Sequence, residues 1–240
     1  SRDGISFGGV LMKIPLSARL QACCNFICPG DRVADIGTDH GYLGIWLLEQ
    51  GIASSVIAAD IVPGPLSAAK SNAAKFGFSG RMEFYLSDGV QSIPRDFDTM
   101  VCAGMGGDTM ISILSAAPWL KDNKYRLVLQ CQSKTPMLRR YLSDNGWRIT
   151  EESALKDGRF IYTVMEVYYQ PDYPRLNDCE CYFPPALLEN PSEYTAEYYR
   201  RVVDGIRIAV IHQNDPAKKL LLEELTALAQ TQELRWLKEE

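Results

Sequence analysis

Four acidic residues, Asp35, Asp39, Asp60 and Asp88, stand where short apolar runs give way to turns. The first of these turns says the most. Val33-Ala34-Asp35-Ile36-Gly37-Thr38-Asp39-His40-Gly41-Tyr42-Leu43 carries an apolar run through two glycines into Leu43, Ile45, Trp46, Leu47 and Leu48. That pattern predicts a strand, a tight turn and a helix whose first N–H groups face a ligand. A dinucleotide needs Gly-x-Gly-x-x-Gly there, so that backbone can press against a pyrophosphate. Here Asp39 occupies the middle position, with bulk and the wrong charge. A sulfonium amino acid is cationic and tolerates a carboxylate. The turn therefore favours S-adenosylmethionine (SAM), with Asp35, Gly37, Thr38, Asp39, His40 and Gly41 as candidate contacts.

The next acids extend the same argument. Asp60 ends the second strand-like run, followed by Ile61, and its carboxylate there can accept two hydrogen bonds from a ribose. Asp88-Gly89 follows the third run and suits the exocyclic amine of the cofactor's adenine. Ala103-Gly104-Met105-Gly106-Gly107 follows the fourth, where strand order should reverse and ligands bind. Its glycines let backbone approach the cofactor or a flat base. The Asn/Asp-Pro-Pro-aromatic motif of many exocyclic-amine methyltransferases is absent there, which argues against such a target and leaves a ring nitrogen open.

The elements that must hold these turns alternate in type. Strands are predicted at 32–36, 55–60, 82–86, 97–103 and 125–130, with helices at 15–27, 41–50, 66–76, 108–116 and 136–145. That rhythm means βαβ units and a parallel sheet. Two further strands, 147–155 and 159–169, flank Lys156-Asp157-Gly158 as a hairpin. An open sheet ending so is the layout of a seven-stranded, Rossmann-like class I SAM-dependent methyltransferase. We expect residues 1–11 to be a leader outside the fold and 12–170 to form the methyltransferase domain. Residues 171–191, with five prolines, read as an irregular linker. Residues 192–240 read as an antiparallel helical hairpin: one helix to Gln213, then another from Asp215-Pro216 to about Leu237.

Composition sets bounds. No window approaches 18 uninterrupted apolar residues, so a membrane span is not expected, and no secretory signal is evident. The seven cysteines, with only two histidines in the chain and no metal-ligand spacing, read as reduced packing residues of a cytoplasmic protein with no metal. The net charge of −5 sits wholly in residues 171–240, which hold 8 Lys and Arg against 13 Asp and Glu. The part before them is neutral, and Lys13, Arg19, Lys134, Arg139, Arg140, Arg148 and Arg159 could form a basic face there. A monomer is the favoured state.

With these residues in place, the chain resembles the bacterial TrmK family, the tRNA (adenine-22 N1)-methyltransferases. The resemblance rests on Leu16-Ser17-x-Arg19-Leu20, the 33–43 stretch, Asp60-Ile61 with Gly64-Pro65-Leu66, Asp88-Gly89, residues 103–107 and Leu138-Arg139. It departs at Leu129-Gln130-Cys131-Gln132, where the family tends to Leu-Gln-Pro-Asn, and at Gly44, where the family has proline. The resemblance implies methyl transfer from SAM to N1 of an adenine in tRNA. Neutral N1 carries a lone pair and no proton, so no base is needed for attack. The methylated ring is cationic until its exocyclic amine loses a proton, and Asp39 is the candidate catalytic carboxylate. Tyr42, Gly106, Gly107, Gln130, Arg139 and Tyr162 are the candidate substrate contacts, with Tyr42, Met105 and Tyr162 as stacking surfaces for an extruded base. The helical hairpin is expected to help hold the tRNA. The competing readings are methylation of another RNA or a small molecule, and a SAM-binding interaction protein without turnover.

Overall fold

The computed structural model describes residues 14–213 and 215–230. Its centre is one seven-stranded sheet of order β3-β2-β1-β4-β5-β7-β6. The strands are β1 (Arg32–Ile36), β2 (Ser55–Asp60), β3 (Met82–Leu86), β4 (Thr99–Gly106), β5 (Arg126–Ser133), β6 (Trp147–Asp157) and β7 (Phe160–Tyr169). The first five pair in parallel, while β7 lies antiparallel between β5 and β6. The chain order reverses between β1 and β4, so a crevice opens at their carboxyl ends. This is the expected fold class.

The parallel strands are apolar because helices cover both faces. One face, with Ile36, Ile57, Met100, Leu127 and Leu129, packs under α4 (Gly107–Ser115) and α5 (Thr135–Asp144). The other, with Val33, Val56, Val101, Val128 and Val164, packs under α1 (Ala18–Cys24) and α2 (Tyr42–Glu49). Between β2 and β3 runs α3 (Pro63–Lys75). It begins three residues before the expected Leu66, because Pro63 and Pro65 sit in a first turn that needs no N–H from them. Likewise β4 runs beyond Ala103 through the glycines, with register shifts at Ala103/Met105 and Met105/Gly106.

The 171–191 stretch is less irregular than its prolines suggest. It contains α6 (Asp178–Tyr182), opened by a capping box between Asn177 and Glu180, and the single turn α7 (Ala186–Glu189). Buried Cys181, Phe183 and Leu187 tie it down. Beyond it, α8 (Thr195–Gln213) and α9 (Pro216–Leu228) pack antiparallel, with the Asp215 side chain capping α9 at Ala217 N. Tyr199, Val203, Ile206, Leu221 and Leu225 fill their seam, and Ala154 of β6 joins the same cluster. The helix ends at Leu228; its expected continuation past residue 230, the 1–11 leader and Lys13 lie outside the described residues. Among the described residues no helix is long and apolar enough to cross a membrane, and no group of His, Cys, Asp or Glu could hold a metal ion.

Candidate active site

The turn after β1 is held from three sides before any ligand arrives. Gly37 N and Thr38 N donate to Ala59 O at 2.8 and 3.0 Å. Thr38 Oγ1 donates to Asp35 Oδ2 at 2.7 Å. Asp60 Oδ2 accepts from Asp39 N at 3.1 Å, and its Oδ1 from Val62 N at 2.9 Å. Asp39 itself has φ 51°, a left-handed conformation that short polar residues such as Asp and Asn adopt most readily after glycine. The Asp60 clasp keeps it there, with its own carboxylate turned to solvent beside His40 Nε2 at 3.6 Å.

Gly37 has φ +75°, and a Cβ there would come within 2.4 Å of Met105 Cε. The absent side chain thus leaves a floor between the β1 turn and the β4 loop. On the β4 side, Gly104 N donates to Gln130 Oε1 at 3.0 Å, which pins the bulged backbone outward. Together these turns bound one cavity lined by Asp35, Gly37, Thr38, Asp39, His40, Tyr42, Ala103, Gly104 and Met105, with Arg19, Leu20 and Leu43 closing it from the helices.

The cavity is electronegative at its base. Asp35 is 4% exposed, and burial pushes its carboxyl up to about 6, with the Asp60 and Asp39 charges adding to the rise and the Thr38 hydroxyl opposing it. A buried acid in that state is stabilised by a cation, not by a diphosphate. Farther along the same sheet edge, Ile61 (63% exposed) and Leu86 (55%) stand bare beside Asp60. They offer an apolar platform for a flat base. Acids for positive groups, a glycine floor and an apolar shelf together fit SAM.

A family model described as a methyltransferase domain matches residues 16–165. The chain belongs to the methyltransferase-domain family. The Bacillus subtilis tRNA (adenine(22)-N(1))-methyltransferase is 32% identical over 154 residues, covering 64% of this chain and 65% of that enzyme, slightly under two thirds of its length. Among solved structures, the B. subtilis m1A22 tRNA methyltransferase TrmK overlays with a TM-score of 0.75 at 26% identity, covering 95% of this chain and 99% of that one. A Streptococcus pneumoniae protein solved in complex with SAM overlays with a TM-score of 0.75 at 26% identity, covering 92% and 97%. The two structural overlays extend over 92–95% of this chain, and the resemblance to the TrmK family is borne out.

Within this methyltransferase domain the sequence-derived contacts separate into groups. Asp35, Gly37, Thr38, Asp39, His40, Ala103, Gly104 and Met105 share the cavity, as does Tyr42. Asp60 borders it through Asp39, while Ile61 and the exposed Asp88 lie outside along the β2 and β3 ends. Gly41 and Gly89 are buried, and a Cβ would come within 3.0 Å of Ala69 and 2.9 Å of Ile113 respectively. Both let neighbouring elements approach closely. Tyr162 is half-buried in the cluster that includes Leu20, Tyr42 and Ala103.

Three substrate assignments need correction. Gly107 is buried, and a Cβ there would lie 2.9 Å from Lys134 O, so it serves the seating of α4 on the β5–α5 loop. Gly106, where a Cβ would lie 3.0 Å from Ser133 Oγ, is half-buried and keeps part of its surface open. Gln130 is 0% exposed and its carbonyl is spent on Gly104, so it shapes the loop without reaching a substrate. Arg139, also 0% exposed, is bound to Glu152 at 2.6 and 3.1 Å. It cannot face an RNA. Conversely, Arg19 and Leu20 as cavity walls and Leu86 as shelf went unassigned; an apolar residue ending β3 one step before Ser87-Asp88 was the available signal for Leu86.

Proposed function

We propose that this protein methylates N1 of an adenine in tRNA, adenine 22, using SAM. The observation that carries the reading is the overlay on B. subtilis TrmK across 95% of the chain, together with a cavity whose charge suits a sulfonium amino acid. Bound SAM supplies an electrophilic methyl group on positively charged sulfur. Asp35 offers a buried carboxylate to the cofactor's ammonium end, and Gly37 and Gly104 leave space for it. Ala103 and Met105 form the wall against which the adenine edge is set. Attack by the N1 lone pair forms the N–C bond as the S–C bond breaks, so the protein's task is alignment. Asp39, at the rim, stabilises the cationic ring and takes the proton that its exocyclic amine loses. Such a reaction belongs in the cytoplasm, where tRNA is, and one chain holds every group it uses.

The decisive test incubates the protein with bulk tRNA and methyl-labelled SAM, then digests the RNA and maps the label. Label in 1-methyladenosine at position 22 is expected. Label in another nucleoside, or none in any tRNA, overturns the reading.

A pH dependence follows from Asp35. Its folded pKa lies above the ordinary carboxylate value of 3.8, at about 6. Cation binding needs the ionised form, so SAM affinity should fall as pH drops from 7 to 5, by up to about tenfold per unit below the midpoint. The stability sign is opposite. A raised folded pKa contributes stability below the unfolded pKa that is lost as pH rises through about 6. Asp35→Asn should therefore flatten the pH profile of SAM binding and raise the apo melting temperature at pH 7. Calorimetry at pH 5, 6 and 7 with both proteins checks this; a profile unchanged by Asp35→Asn removes Asp35 from the site.

A further inference from the structure

We propose that the tip of the β6–β7 hairpin is the platform on which the RNA strand next to the target adenosine lies, an inference that rests on the tRNA reading above. The tip is a two-residue turn, Gly158-Arg159, between the paired residues Asp157 and Phe160. Phe160 is 47% exposed, and the Arg159 guanidinium sits 4.9 Å from its ring centroid. Two residues along β7, on the same side of the strand, the Tyr162 ring lies 5.9 Å from Phe160 at an interplanar angle of 35°. Tyr162 belongs to the cluster that includes Tyr42 and Ala103, both walls of the SAM cavity. Two aromatic rings thus extend from the hairpin tip along the sheet face that also carries walls of the SAM cavity.

The opposite strand of the tip joins the same site. Asp157 pairs with Arg19 at 3.7 Å, and Arg19 lines the cavity with a buried Nε that has no hydrogen-bond acceptor. The tip is also braced from behind by the helical hairpin. Arg201 Nη2 of α8 donates to Arg159 O at 3.1 Å and to Glu197 Oε1 at 2.8 Å. Glu197 in turn accepts from Lys156 Nζ at 3.4 Å. The exposed ring is therefore held on a fixed support, with the Arg159 guanidinium at its face and the Lys156–Glu197–Arg201 network behind it.

That chemistry fits one partner. A lone exposed phenylalanine is ordinary. A ring capped by a guanidinium and continued by a second ring, on a tip tied through Asp157 and Arg19 to a methyl-transfer cavity, is what a splayed RNA strand requires: π-faces for bases and a cation for phosphate. The arrangement also gives the helical hairpin a concrete task, which is to set the height of the platform.

The test measures tRNA methylation kinetics, SAM affinity by calorimetry and melting temperature for wild type, Phe160→Ala, Phe160→Trp and Arg159→Ala. Phe160→Ala should raise KM for tRNA about tenfold, as loss of one base-stacking surface does, with SAM affinity unchanged. Phe160→Trp should restore KM. Arg159→Ala should lower the slope of log affinity for tRNA against log salt by about one. Wild-type KM in Phe160→Ala, with the wild-type enzyme active, overturns the platform and leaves the tRNA reading intact. A wild-type protein that methylates no tRNA overturns both. If Phe160→Ala melts early, the Arg159 variant decides: a salt slope lowered by about one supports the platform, and an unchanged slope rejects it.

Discussion

Arg139→Ala is expected to destabilise the protein by about 3–5 kcal/mol, the usual effect of breaking one side of a buried ion pair. For a chain of this size that is a fall of roughly 10 °C in melting temperature. The geometry leaves little slack. Arg139 and Glu152 are both 0% exposed. The guanidinium also donates to Cys181 O and Tyr182 O at 3.0 Å each and to Tyr198 Oη at 3.0 Å. Burial works against its charge, but the Glu152 carboxylate and the Tyr198 hydroxyl outweigh that and raise its pKa. One side chain of α5 therefore joins β6, α6 and α8. Lysine lacks the fork to reach these acceptors, so Arg139→Lys should recover little. The double replacement Arg139→Met with Glu152→Leu removes both charges and should melt well above Arg139→Ala. Thermal denaturation checks the set; a single alanine variant melting within about 2 °C of wild type removes the hub.

The same hub changes what the helical hairpin is. Tyr198 lies on α8, and Ser192 Oγ donates to Ala154 O of β6 at 2.6 Å. Phe183 and Leu187 are buried in the cluster that α8 and α9 complete. Cutting the chain at Pro191 would strip Arg139 of one acceptor and bare that cluster. The hairpin is an integral layer, and variants at its exposed residues are better probes of RNA contact than its deletion.

How much of this was legible beforehand depended on how local each cause is. Strand–turn–helix order is written in runs of adjacent residues, so the parallel sheet, its terminal hairpin and the helix cap at Asp215 could all be read. The acid-bearing turn was legible because Asp35, Gly37, Thr38 and Asp39 stand within five consecutive positions, although the Ala59 carbonyl and the Asp60 carboxylate that hold it come from β2. What could not be read depends on distant partners. Arg139 looks like any helix arginine until Glu152 arrives from the far strand. Gln130 looks free until Gly104, from another strand, presents its N–H. Gly107 and Gly41 have the residue type a ligand cradle needs, yet what approaches them is backbone of the β5–α5 loop and Ala69 of α3. A glycine declares that something comes close without saying what.

Asp39→Asn should lower kcat for tRNA methylation by about a hundredfold, at the low end of what a positioned acid–base group contributes, while SAM affinity stays within a few-fold of wild type. Asparagine is chosen because it shares the left-handed tolerance that φ 51° demands. The Asp60 clasp acts on the Asp39 backbone N–H and survives the change. What is lost is the negative charge alone, on a side chain that is 70% exposed at the cavity rim. Asp35 sits deeper, 4% exposed; on the proposed reading it serves the cofactor's cationic end, and Asp39 serves the incoming base. Asp39→Ala is the informative companion: it removes the charge and also strains the turn, so SAM affinity should drop with turnover. Single-turnover rates and calorimetry on both variants separate the roles. Retained kcat with weakened SAM binding in Asp39→Asn would transfer Asp39 to the cofactor and leave the proton of the exocyclic amine to solvent.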